Sequence, residues 1–183
     1  GPSDLVNAMR AALAPGQVWP VRDFFEAKVR EQQERHQKAN DTAYNLEPNI
    51  KESPGGLRDL QTVLWLAHVI GVGHSWKALA RRGVIETTEA ARIERDERLL
   101  RELRVRLHYL AGRREDRLLF DFQTLLAREL KIEDSGKRRA SEILMQRYYR
   151  TVKEISLYCN VLLQNLADLA HPERDTTTRR LNL

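Results

Sequence analysis

A single cysteine, Cys159, stands in the 183 residues. That excludes an internal disulfide framework and any zinc site built on paired cysteines, and it suits a reducing cytosol. No apolar run approaches the roughly 18 residues of a membrane span, and no signal-peptide pattern is present, so the expected location is cytoplasmic. There is no Asp-x-Asp pair to clamp the metal of nucleotidyl transfer, and no adjacent His-Asp pair of the phosphohydrolase kind. Gly-x-Ser-x-Gly and the Gly-Lys-Ser/Thr of a phosphate loop are also missing. Alternating apolar runs bounded by turns are missing as well, which argues against strands. These absences give an expectation of no catalytic residue and no metal ligand on this chain.

What is present is charge and helical periodicity. The 31 Lys and Arg outnumber the 26 Asp and Glu, for a net charge of +5, but acids and bases interleave. A dedicated nucleic-acid binder gathers its basic residues on one face, so neither a nucleic acid nor a membrane is an expected partner. The hydrophobic fraction of 42% supports a real core. The pattern predicts an all-α fold: an antiparallel bundle of about six to seven helices with one long C-terminal helix.

A first short helix over about Ser3 to Leu13 is closed by Pro15-Gly16. Pro20 suits the first position of a second helix, with Phe24, Phe25 and Val29 on its apolar stripe and a polar end carrying Arg35 and His36. Leu57 to Ile70 is apolar nearly all round and belongs at the core. Gly71-Val72-Gly73 stops it. Ser75 caps a short helix through Arg82. A long helix from Thr87 or Thr88 to Ala111 carries Glu94–Arg98, Glu97–Arg101 and Glu102–Arg106, each acid four residues before its base. Gly112 is its expected cap. A further helix covers about Leu118 to Leu130. The last, about Arg139 to Ala170, would be roughly 45 Å long; Met145, Tyr148, Val152, Ile155, Cys159, Leu162, Leu166 and Leu169 form a heptad seam. His68 and His108 are read as packing residues. Residues 1–2 read as a tag scar, 3–171 as the helical domain and 172–183 as a disordered linker.

One stretch is not explained by helix packing: Tyr44 to Leu60, YNLEPNIKESPGGLRDL. Two prolines and Gly55-Gly56 break any helix across it. Either Ser53-Pro54 caps the core helix or that helix begins at Leu57. The glycines would set bare N–H groups at a helix N-terminus, which attracts anions. Lys51 and Arg58 bracket them and could bind a nucleotide or phosphate. Glu47, Asn45, Asp59, Arg35 and His36 are supporting candidates: Asp59 to favour the helix dipole, Glu47 to hold Arg58 or Lys51 by an ion pair. A rigid helix entry stitched by these charges is the equally open alternative.

The wording from Tyr44 to Lys51, followed by Ser53 to Asp59, resembles the signature of the bifunctional PII uridylyltransferase/uridylyl-removing enzymes of bacterial nitrogen control. Trp19-Pro20 with Phe24 to Val29, Asp116 to Asp121, and Tyr148-Tyr149-Arg150 resemble further landmarks of that family. The resemblance spans roughly Val18 to Leu169. Glutamine synthetase adenylyltransferases share a Pro-Gly-Gly-like loop but match less well. The resemblance implies a helical middle domain, set after a nucleotidyltransferase domain and before a His-Asp hydrolase domain and two ACT domains. It implies a parent that uses UTP and Mg2+ or another divalent metal to uridylylate the PII signal protein, and removes the group hydrolytically. This chain would hold no cofactor of its own. It would pack beside the catalytic domains and help complete the nucleotide or PII cleft; the alternative is a purely structural or protein-interaction module.

Overall fold

The computed structural model describes residues 2–12, 19–38 and 45–170. The expected stop at Pro15-Gly16, the scar residue Gly1 and the linker at 172–183 lie outside them. Within them the chain forms seven helices, the last six of which pack as a bundle, and no strand is present. They are α1 (Pro2–Ala12), α2 (Val21–Lys38), α3 (Leu57–Ile70), α4 (Trp76–Arg81), α5 (Thr87–Ala111), α6 (Phe120–Glu129) and α7 (Ala140–Ala170).

The spine is α7. Its stripe of Leu144, Met145, Tyr148, Val152, Ile155, Cys159, Leu162 and Leu166 is buried, so the heptad seam is internal. Leu169, the last seam position, is half exposed. Against this stripe pack α3, α5 and α6, while α2 lies on α3 and α4 on α5. Leu60, Val63 and Leu66 of α3 and Ile93, Leu100, Leu103 and Leu107 of α5 supply the facing side. Each such side chain stabilises the fold by about 1.5–3 kcal/mol relative to exposure.

Helix ends follow local chemistry. Gly71 and Gly112 take the left-handed conformation and close α3 and α5. The Ser75 hydroxyl accepts the Ala78 N–H. Glu86, not a threonine, caps α5, in a reciprocal box with Glu89. Pro20 lies just before α2 and its carbonyl accepts the Phe24 N–H. Glu97–Arg101 and Glu102–Arg106 pair as their spacing predicts, whereas Glu94–Arg98 is not among the ion pairs of the described residues. His68 is exposed and meets only the edge of His74, so it is no packing residue.

The segment between α2 and α3 is set by two contacts distant in sequence. Asn49 and Arg117 form an isolated antiparallel bridge, with the Ile50 N–H donating to the Asp116 carbonyl at 2.8 Å and the Leu118 N–H to the Pro48 carbonyl at 2.9 Å. On the other side Gly55, at φ +74°, lies against the α7 backbone. A Cβ built there would stand 2.1 Å from the Val152 carbonyl oxygen. No side chain fits between α3's entry and α7.

Replacing Gly55 by alanine therefore forces the helices apart as well as straining φ. Gly55→Ala is expected to cost about 3 kcal/mol or more in urea unfolding. Gly112→Ala, with the same sign of φ but nothing within 4 Å of the new Cβ, should cost only about 1–2 kcal/mol. Equal losses at the two sites would show that the close approach to Val152 does not matter.

Candidate functional site

The stretch from Asn45 to Asp59 is a joint that runs from an exposed start into a buried turn, with Ser53, Pro54, Gly55, Gly56 and Leu57 all buried. Two asparagine side chains shape its turns. Asn49 Oδ1 accepts the Lys51 and Glu52 N–H groups at 2.9 and 2.8 Å, and Asn45 Oδ1 accepts the Glu47 N–H at 3.0 Å. Neither Ser53 nor Pro54 caps α3. The N-cap residue is Gly56, and the Ser53 hydroxyl accepts the Asn49 N–H instead.

At the centre is Asp59, only 1% exposed. Its Oδ1 accepts from Arg35 Nη2 at 2.6 Å, and its Oδ2 accepts the Gly55 N–H at 2.8 Å. His36 Nε2 sits 2.9–3.0 Å from both oxygens. Burial pushes this carboxyl up, but His36, Arg35 and Gln32 outweigh it and hold it below the ordinary aspartate range. Asp59 does lie in the first turn of α3, where a negative charge suits the helix dipole, but it does more than that. It ties the end of α2 to the entry of α3.

Glu52 forms a second node. Its carboxylate is 2.7 Å from Lys51 Nζ, 3.5 Å from Arg58 Nη2 and 3.8 Å from Arg35 Nε. Burial opposes its charge, but Lys51 and then Arg58 keep it below the usual glutamate range. Arg58 also stacks on Trp65, its guanidinium carbon 5.6 Å from the ring centroid, with the Lys28 ammonium 5.2 Å from the same ring. Lys51 and Arg58 do come together, as their bracketing of the glycines suggests, but on Glu52. Sequence reasoning passed over Glu52, although an acid between Lys51 and Arg58 on a tight turn is a legible sign.

Glu47 and Asn45 serve the other end of the joint. Glu47 Oε1 accepts the Phe120 N–H at 3.0 Å rather than pairing with Arg58 or Lys51, and the Asn45 carbonyl accepts the Tyr149 hydroxyl at 3.1 Å. Gln123 donates to the Leu46 and Leu118 carbonyls, both at 2.8 Å. Asp116 is held by Arg104 Nε at 2.6 Å and His108 Nε2 at 3.0 Å. His108 is therefore a polar partner, not a packing residue.

The backbone donors expected to cradle a phosphate are already used. The N–H of Gly55 goes to Asp59, of Gly56 to the Ser53 carbonyl, of Leu57 to Ile50, of Arg58 to Lys51 and of Asp59 to Gly56. What remains for an outside anion is side-chain charge: Lys51 and Arg58, both partly exposed and both drawn to Glu52. Cys159 is buried behind the joint, and burial together with the Asp59 charge pushes its thiol well up, which leaves it inert.

A family model described as GlnD PII-uridylyltransferase matches residues 23–163. The chain belongs to the PII-uridylyltransferase family. The family's relatives agree along the whole length. The bifunctional uridylyltransferase/uridylyl-removing enzyme of Nitrosospira multiformis is 48% identical over 186 aligned residues, covering all of this chain and 20% of the relative. Those of Cupriavidus metallidurans and Burkholderia mallei are 49% and 48% identical, covering 87% and 88% of this chain and 19% of each relative. The chain thus spans about a fifth of the length of the relatives it matches. No solved structure matches significantly. The landmarks that carry the resemblance converge in this PII-uridylyltransferase segment: the Asn45–Asp59 joint rests on Asp116–Phe120 along one edge and on Tyr149 and Val152 along the other.

The joint makes stability depend on acid in a definite direction. Asp59, Glu52 and Asp116 all titrate lower folded than unfolded. Near pH 4 the unfolded chain therefore binds more protons, and stability falls as pH is lowered through the folded values. Urea unfolding should show a steep loss between about pH 5 and about pH 3. Asp59→Asn should cost about 3–5 kcal/mol near neutrality, since it strands Arg35, and it should flatten that acid limb. An unchanged limb would mean that Asp59 does not carry it.

Proposed function

We propose that this chain is the helical domain of a cytoplasmic enzyme that transfers UMP from UTP to the PII signal protein and removes it by hydrolysis, so that nitrogen status is written on PII. The observation that carries the reading is the family match across residues 23–163, at close to half identity with the bifunctional enzymes named above. The domain itself is not catalytic. It packs beside the nucleotidyltransferase and hydrolase domains of the same polypeptide and lends them a rigid wall.

The divalent cation that accompanies UTP does not fit the donors around Asp59. Both Asp59 oxygens are engaged by Arg35, His36 and the Gly55 N–H. Among the described residues no three His, Cys, Asp or Glu side chains gather.

Lys51 and Arg58 are the residues through which the wall would meet its substrates. Their charges are offset by a single Glu52 carboxylate that they share with Arg35. A triphosphate or an acidic patch of PII can take over that pairing, because two bases share one carboxylate and both keep part of their side chains in solvent. The second reading, that the joint is architecture alone, is favoured by the internal use of every N–H from Gly55 to Asp59.

The two readings separate in the full-length enzyme. With the first, Lys51→Ala and Arg58→Ala raise KM for UTP or for PII about tenfold while the protein stays folded. With the second, KM for both substrates is unchanged and the variants show themselves only as a lowered Tm.

A further inference from the structure

Where α5 crosses α7 there is a cleft of about 210 Å3, lined by Arg95 and Asp96 from α5 and by Arg147, Arg150, Thr151 and Glu154 from α7. None of these residues belongs to the joint. Asp96 is 3% exposed. Its Oδ1 is 3.0 Å from Arg95 Nη2, and its Oδ2 is buried with no hydrogen-bond partner. The same Arg95 nitrogen lies 3.8 Å from Glu154 Oε2. Arg95 thus spans both carboxylates. Arg147 and Arg150, one turn apart on α7 and exposed, form no ion pair among the described residues.

We infer that this cleft is an oxyanion site, in which Arg147, Arg150 and Arg95 hold a phosphate group. Two guanidinium forks at i and i+3 share one helix face and match the tetrahedral oxygens of phosphate, which accept from both. Three arginines, Arg95, Arg147 and Arg150, face two carboxylates, Asp96 and Glu154, so the cleft keeps a net positive charge for an anion. Burial, and then the neighbouring Glu154 charge, push the Asp96 carboxyl up despite Arg95. Asp96 therefore takes up a proton more readily than an ordinary aspartate, and an arriving anion favours that uptake. The protonated acid would hydrogen-bond the neighbouring Glu154 carboxylate and leave one negative charge fewer facing a bound anion. The groups that face Asp96 and set this coupling are Arg95 on its own helix and Glu154, Arg147 and Arg150 on α7. The inference does not depend on the enzyme activity proposed above.

The test is titration of this chain with inorganic phosphate, glycerol phosphate and sulfate, followed by NMR of the arginine side chains and by calorimetry. Saturable binding is expected, weakened at least about tenfold in an Arg147→Ala, Arg150→Ala double variant. Both positions are exposed, so that variant should keep the wild-type circular dichroism. Sulfate keeps its charge across the range and should bind more tightly at about pH 5 than at about pH 7, a difference that Asp96→Asn removes. Tighter binding of glycerol phosphate than of inorganic phosphate points to a phosphate carried on an organic molecule, and the reverse to free phosphate; either supports the site. A non-saturating response, one matched by chloride at equal ionic strength, or one unchanged in the double variant overturns it.

Discussion

A carboxylate that is 1% exposed can stay ionised in a protein interior only if its oxygens are filled by donors. Asp59 meets that condition with Arg35, His36 and the Gly55 N–H. Each donor comes from a place that nothing else fixes so firmly: two from the last turns of α2, one from the turn that enters α3. The rest of the joint follows from keeping that oxygen pair satisfied. Gly55 must turn its N–H inward, which sets its φ at +74° and brings its α-carbon against α7. Glu52 then falls where Arg35, Lys51 and Arg58 can share it.

The helices were legible because their signals are local. Glycine stops, the Ser75 cap, the i to i+4 acid–base pairs and the steps of three and four on α7 need no knowledge of the fold, and they give the helices within one to a few residues. The joint was legible as a place but not as an arrangement. Its glycines read as an anion cradle, since a bare helix N-terminus is one; only the tertiary fold shows Asp59 bending back to Gly55 and Val152 filling the space. Glu47 shows the same limit. Its partner, the Phe120 N–H, is far along the chain, so no spacing rule could pair them. His68 and His108 failed for a simpler reason: a histidine beside an apolar stripe has one polar edge, and sequence does not say where that edge points.

The charges of this domain divide into two kinds. On α5, Glu97–Arg101 and Glu102–Arg106 are mostly exposed pairs of adjacent helical turns and add a few tenths of a kcal/mol each. Around the joint the pairs cross between elements and are mostly buried, so they fix geometry more than they add stability. A neighbouring domain that docks here meets a surface whose shape is set by internal pairing, with Lys51 and Arg58 as the cations that can change partners at least cost. In the role proposed for it, such a wall would position an anionic substrate without itself moving.

The contact of Gly55 with Val152 also sets an order of events in synthesis. The turn that shapes the entry of α3 leans on a carbonyl from the middle of α7, the last of these seven helices in chain order. Until α7 has emerged, α3 lacks the surface that holds its first turn, and Leu60, Val63 and Leu66 lack the stripe they bury against. Long-range closure of this kind is slow, and it leaves apolar helix faces open meanwhile. A nascent chain of this domain therefore lacks the support for the α3 entry until α7 has been made.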